Sequence, residues 1–232
     1  MTKDQSPSRA GTRRTGARRQ EPRLKQDRAL RTRRAILKAA AEVFAQRDYP
    51  SVTILDIAEQ AGVTKGAVYF HFANKEAVAV AVAEQFYTVL LSSLRPVLDT
   101  DAAPARKVVE LLRRTARSFR EDALIQAGSR LQIQQWAIES ELPTPYVGFT
   151  EILTGLLTEC RDGGALPDGS DPEALARVLR SALFGAQHIS GVQHGWSDIV
   201  ERTEEIIQAL PFLASAAEDR ADSSLPPAQE AI

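Results

Sequence analysis

Residues 63–78 read VTKGAVYFHFANKEAV, and Lys65, Tyr69, Phe70, His71, Phe72 and Lys75 crowd into its middle. They span about three helical turns and follow directly on the Gly-led turn Ala61-Gly62-Val63. A helix serving only as core has no use for Lys65, and one serving only as solvent surface has no use for Phe70 and Phe72.

The flanking residues give this stretch a layout. Thr53 is placed to cap a helix over 54–60, whose Ile54, Ile57, Ala58 and Ala61 share an inward face. Gly62 ends that helix, and a short one follows over 64–71. Asn74 caps a long helix over 75–95 that Pro96 is expected to stop. Helix, Gly-containing turn and short helix make a helix-turn-helix. In that motif the second helix lies in the DNA major groove and the first crosses the backbone. Val68 then faces inward and Phe72 anchors the junction with the next helix, while Thr64, Lys65 and Tyr69 face outward. Gly66 lets the backbone approach DNA closely. Lys65 can donate to guanine O6 and N7. Thr53, Tyr69, His71 and Lys75 can reach phosphates, which sets register without reading sequence. Any helical hairpin with a Gly turn shares part of this pattern, so charge has to decide between the two readings.

The formal net charge of −1 conceals a strong asymmetry. Residues 1–75 carry 16 Lys and Arg against 7 Asp and Glu, whereas residues 76–232 carry 13 against 23. A basic head on an acidic body is expected where one end faces a polyanion. The competing reading is a solvated basic tail on an ordinary protein.

With 44% hydrophobic and 25% charged residues, the 232-residue chain has the composition of a globular protein. No uninterrupted apolar run approaches about 18 residues, so no spanning helix and no membrane partner are expected. No apolar segment follows the basic N-terminus as a secretory signal would. Cys160 is the only cysteine, which fits a reducing cytoplasm. With only His71, His188 and His194 beside it, no zinc pattern forms, and neither a metal nor a cofactor is expected. Elbow, dinucleotide, P-loop and HExxH motifs do not occur, so no catalytic residue and no enzyme are expected.

Strand signals are absent, and Pro-free stretches at 51–95, 105–142 and 173–210 leave room for long helices. The chain therefore reads as all-α, with about nine helices. Further helices are expected over 26–46, 105–121, a broken 123–141, a segment opened by the PTP at 143–145 and closed near Gly163-Gly164, 172–191, and 197–214 with Ser197 as cap. Four regions result: a disordered basic arm over 1–24, a DNA-binding domain over 25–74, a larger helical domain over 75–215 and a loose tail over 216–232.

Residues 30–78 resemble the DNA-binding domain of the TetR family of bacterial repressors. The resemblance rests on Ile36, Leu37, Ala39, Ala40 and Phe44, on Thr53, Ile57 and Ala58, and on the run from Ala61 to Gly66 with Tyr69, His71, Phe72, Lys75 and Glu76. It covers roughly a fifth of the chain, with a dense motif. The segment GVTKGAVYFHFANKE is most similar to the butyrolactone-type autoregulator receptors of that family. Two departures are Asp48, where Gly often ends the first helix, and the long arginine arm. An Asp there tolerates the left-handed conformation at some cost. The resemblance implies a homodimer, a helical C-terminal half that binds a small effector, and a change in the spacing of the two heads when the effector binds.

For that effector, the candidates are polar or aromatic residues on core-facing stretches: Tyr87, Gln132, Gln135, Trp136, Tyr146 and Phe149, with Leu153 and Phe184 as apolar wall. Gln132 and Trp136, four apart, should share a helix face. Each alone reads equally as ordinary packing. In autoregulator receptors a Trp often lines the pocket, and either Trp136 or Phe149 could hold that place. Neutral donors without a neighbouring Lys or Arg suit a lactone, an alkylated furan or a small acid. A polyaromatic drug or a catabolic metabolite is the alternative, and a DNA-coating protein without effector is a third. The dimer contact is expected on the last two long helices, through Leu175, Val178, Leu179, Ala182, Leu183, Ala186 and Ile189 of one and Ile199, Val200, Ile206, Ile207 and Leu210 of the other.

Overall fold

The computed structural model describes residues 17–218, with side chains from residue 26 onward. Those residues form ten α-helices and no strand: α1 (Ala17–Gln46), α2 (Ile54–Gln60), α3 (Lys65–His71), α4 (Lys75–Leu98), α5 (Pro104–Glu121), α6 (Ala123–Ile133), α7 (Val147–Asp162), α8 (Pro172–His194), α9 (Ile199–Gln208) and α10 (Pro211–Glu218). Short 3-10 turns lie at Tyr49–Ser51 and Gln135–Ala137.

Local chemistry starts most of these helices where the sequence places them. Thr53 forms a capping box with Asp56: its Oγ1 accepts from Asp56 N at 3.2 Å, and Asp56 Oδ2 accepts from Thr53 N at 2.7 Å. Thr64 caps α3 through Ala67 N, and Asn74 caps α4 through Ala77 N at 2.8 Å. Gly62 takes the left-handed turn after α2, with φ +64°.

Several boundaries differ from expectation. The first helix starts at Ala17, not near 26. The expected arm is therefore helical from residue 17; residues 1–16 and 219–232, with the rest of the arm and most of the tail, lie outside the described residues. Pro96 does not stop α4, which runs to Leu98. Two residues before the end a proline removes a single bond, and Asp99 N still closes on Arg95 O at 3.0 Å. The expected helix over 197–214 is two, because Pro211 lacks the N–H to continue α9 and instead opens α10. Asp198, not Ser197, precedes α9. Helix α7 starts only at Val147, after Tyr146 in the left-handed conformation at φ +60°. Asp48 is extended at φ −67°, so no left-handed turn is needed where relatives often carry Gly.

Two hydrophobic cores share α4. One gathers α1, α2 and α3 around Phe44, Ile57, Val68 and Phe72, and takes in Val78, Val82 and Ala83 of α4 with Ala127 and Leu131 of α6. The other begins one turn further along α4, at Phe86, Leu90, Leu94 and Val97, and is completed by α5 and α7–α10. By length and composition alone α4 is long and apolar enough to cross a membrane. Its apolar residues are instead spent inside both cores.

Helices α4 and α6 meet at Gly128, where an added Cβ would lie 2.3 Å from Cβ and Cγ of Phe86. Phe86 is fully buried, so it has nowhere to retreat. Gly128→Ala is expected to destabilise the protein by about 1–3 kcal/mol, the usual cost of overpacking, read as a lowered urea midpoint at unchanged slope.

Candidate functional site

The seven residues of α3 divide cleanly by exposure. Val68 is fully buried, whereas Lys65, Gly66, Tyr69 and Phe70 are exposed. The Lys65 ammonium lies 5.8 Å from the centre of the Tyr69 ring, which holds the two side chains together. Thr64 stays exposed while capping the helix, and Thr53, at the start of α2, is exposed beside its capping box. His71 is half-buried, with Phe70 packed edge-on against it at 5.0 Å. Phe72 is buried under the Arg33 guanidinium, 4.9 Å above its ring, which secures the junction with α4. Phe70, 79% exposed, also faces outward, which the sequence pattern did not single out.

Lys75 is a correction. Its ammonium points into the protein, donating to Tyr49 O at 2.8 Å and Val52 O at 2.9 Å and lying 4.0 Å over the Tyr49 ring. Burial pushes its pKa below the usual lysine value. It braces the 49–52 turn from within, rather than standing on the outward face as expected. Beside it, the Tyr49 hydroxyl donates to Glu76 Oε1 at 2.8 Å and holds that carboxyl below its usual range. Asp56 is held at about 2, first by its hydrogen bond from Thr53 and then by Arg47.

The same turn is tied to the body. Tyr49 N donates to Gln134 Oε1 at 2.7 Å, and Asp48 Oδ1 accepts from Arg130 at 2.7 Å and from Gln134 at 2.6 Å. No local pattern in the sequence points to this link, since its partners lie more than eighty residues apart.

In the body, Tyr87, Tyr146 and Phe149 do come together, with Phe86, Phe119 and Phe184. Tyr146 stacks on Phe184 with ring centres 3.6 Å apart and meets Tyr87 edge-on at 5.9 Å. Phe149 and Phe119 pack edge-on against Phe184 at 5.5 and 5.8 Å. Burial pushes the Tyr146 hydroxyl up to about 12, partly offset by the Ser129 hydroxyl beside it. Burial also raises the Tyr87 phenol, whose oxygen has no partner at ordinary hydrogen-bond geometry. Tyr146 is also one of two non-glycine residues at positive φ among those described. Such backbone costs about 1–3 kcal/mol and collects at ligand clamps and switches.

Three pocket candidates lie elsewhere. Trp136 is 82% exposed, because α6 ends at Ile133 and the chain turns away before the shared face with Gln132 can form. Gln135 is used up holding its own loop, donating to Ser140 O at 3.1 Å and accepting from Leu142 N at 3.2 Å. Gln132 donates to Pro143 O at 3.1 Å and so borders the cluster only through the segment leading to Tyr146.

The apolar face expected for dimerisation divides in two. Leu179 and Leu183 of α8, with Ile199 and Ile207 of α9, are fully buried in their own subunit. Val178, Gly185, Ile189 and Val192 form an exposed stripe along α8.

A small helical head with an outward recognition helix, built on a larger helical body with an aromatic interior, is a helix-turn-helix DNA-binding regulator in class. Residues 36–82 match the family described as bacterial regulatory proteins, tetR family. A solved structure on the molecular basis for control of antibiotic production by bacterial hormones is 43% identical, covers 79% of this chain and 97% of its own, and superposes with a TM-score of 0.73. The A-factor receptor protein of Streptomyces griseus is 31% identical over 82% of this chain; the match spans 66% of that relative, just under two thirds of its length. CprB, a TetR family protein from Streptomyces coelicolor solved in complex with its biological operator sequence, is 26% identical over 84% of this chain and all of its own, with a TM-score of 0.69. The chain belongs to the TetR family of bacterial regulators.

The inward position of Lys75 has a measurable consequence. Lys75→Ala strands two carbonyls and is expected to cost about 1–3 kcal/mol of stability, seen in urea unfolding. The slope of log K against log salt for DNA binding should stay as in the wild type, because no phosphate contact is lost.

Proposed function

We propose that the chain is a homodimeric transcriptional repressor that binds pseudo-palindromic operator DNA in the cytoplasm and lets go when a small diffusible signal enters its body. The signal belongs to the butyrolactone or alkylfuran class, and the regulated genes are those of secondary metabolism or antibiotic production. The observation that carries this reading is the outward face of α3, where Thr64, Lys65, Gly66 and Tyr69 stand clear of a head whose Val68 and Phe72 are buried. Likeness to an A-factor receptor and to a structure concerned with bacterial hormones supports the signal class, and the operator complex of CprB supports the DNA partner. Lys65 reads a base; Thr53, Tyr69 and His71 position the head on phosphates. The protein acts by binding and carries out no catalysis.

Tyr87, Tyr146 and Phe149 form the effector site, with Phe184 as wall and Gln132 at its border. Their neutral hydroxyls can donate to a lactone or carboxyl oxygen without an ion pair. The stacked rings would also suit a flat aromatic drug, so the test needs both ligand types. An effector can act only through its different affinity for the DNA-bound and released shapes. Two routes run from this site to the head. Helix α4 carries Tyr87 and enters the head core about 18 Å away at Lys75. Ser129, beside Tyr146, is next to Arg130, which holds Asp48.

The test uses an operator recovered by selection from randomised duplex DNA. Lys65→Ala should lose about 1–3 kcal/mol of discrimination between that operator and random DNA; unchanged discrimination would remove Lys65 as a reader. Extract of the producing culture or a synthetic butyrolactone should weaken operator binding by about 5- to 150-fold. Release by aromatic drugs alone would favour the drug-sensing reading, and binding along any DNA with no release would favour a coating protein. Tyr87→Phe should keep operator affinity but require more effector; calorimetry showing wild-type effector affinity would place the site elsewhere.

A further inference from the structure

We infer that Phe70 is the residue of α3 that enters the major groove most deeply, where its ring packs on the methyl group of a thymine and makes that base part of the operator's specificity. The inference rests on the reading of α3 as the DNA-facing helix and says which side chain reads what.

A single exposed apolar residue is ordinary on a protein surface, so exposure alone decides nothing. Position does. At about 100° per residue, Val68 marks the inward direction of α3, being fully buried. Gly66 and Phe70 then fall about 20° to either side of the point diametrically opposite. Lys65 and Tyr69 lie about 60° and 100° from Val68, on one flank, where the ammonium sits against the tyrosine ring. The centre of the outward face is therefore occupied by Phe70 and Gly66. The cation and the phenol stand to one side, the phenol toward a groove wall of phosphates and the longer Lys65 side chain within reach of a neighbouring base edge.

Gly66 points the same way. A Cβ added there would meet nothing closer than Thr64 Oγ1, at 3.9 Å, and its φ is not positive. Nothing within the protein requires glycine, although glycine in a helix costs about 1 kcal/mol relative to alanine. The missing side chain leaves a notch beside the Phe70 ring, where a base edge could come up against the helix.

The chemistry of the ring limits what it can recognise. Phenylalanine has no donor or acceptor, and the thymine C5 methyl is the apolar group that the major groove displays. Phe70 also meets the half-buried His71 edge-on, with ring centres 5.0 Å apart.

Replacing single thymines of the selected operator by deoxyuridine removes the methyl and nothing else. With wild-type protein, one such position in each half-site should weaken binding by about four-fold, the worth of one buried methyl-sized group. In Phe70→Ala that penalty should vanish while discrimination at other positions remains; Phe70→Leu, which keeps an apolar tip, should restore part of it. Because Phe70 is 79% exposed, both variants should melt as the wild type does. A wild type indifferent to every deoxyuridine substitution, or a Phe70→Ala variant that keeps the full penalty, would overturn the inference. Loss of discrimination at no position in Lys65→Ala and Phe70→Ala alike would instead indict α3 as the reading helix, a separate failure.

Discussion

Helix α4 is the constraint on which the rest of the molecule depends. It runs unbroken for 24 residues and contributes side chains first to the head core and then to the body core. A helix cannot change direction along its length without losing backbone bonds, and this one meets Pro96 only two residues before its end. The head therefore cannot reorient unless α4 moves or α4 slides within a close-packed interior. Gly128 shows how little slack there is, since α6 passes so close that even a methyl group would strike Phe86.

The second attachment of the head is polar and sits at the 48–52 turn. Lys75, Glu76, Arg130 and Gln134 all close on it, from α4, α6 and the residue that ends α6. The Asp48 ion pair is largely exposed and worth little alone. The bonds to the Tyr49 backbone and hydroxyl are part-buried, where leaving one unmade is expensive. An apolar contact through α4 and a directional contact through α6 thus locate the head together. Sliding tolerates small displacements in the first; the second responds to them in steps, since a hydrogen bond is either made or lost.

The aromatic cluster of the body, which α4 enters at Phe86 and Tyr87, is where the structure is least at ease. A tyrosine held at positive φ and a buried phenol without a regular partner are both unfavourable in isolation. They persist because Phe86, Phe149 and Phe184 pack the rings into one arrangement. A ligand offering an acceptor to Tyr87 would relieve one of these costs, giving binding energy that the free protein lacks.

What the sequence determined by itself is local. The caps at Thr53 and Asn74, the turn at Gly62 and the spacing of Ile57, Val68 and Phe72 depend on residues within a few positions of one another, so the helix-turn-helix and the all-α class could be read directly. The aromatic set Tyr87, Tyr146 and Phe149 was legible as residue types on core-facing stretches, though not as a cluster. Tertiary structure alone decided the direction of individual side chains. Lys75 has the composition of a phosphate ligand, yet the nearby carbonyls of Tyr49 and Val52 turn it inward. Trp136 has the composition of a pocket residue, yet the end of α6 at Ile133 leaves it in solvent. The tie of Asp48 and Tyr49 to Arg130 and Gln134 joins residues more than eighty positions apart. No periodicity encodes such a pairing; it exists only once α1 and α6 have packed, because the free energy that selects it is that of closing the whole core.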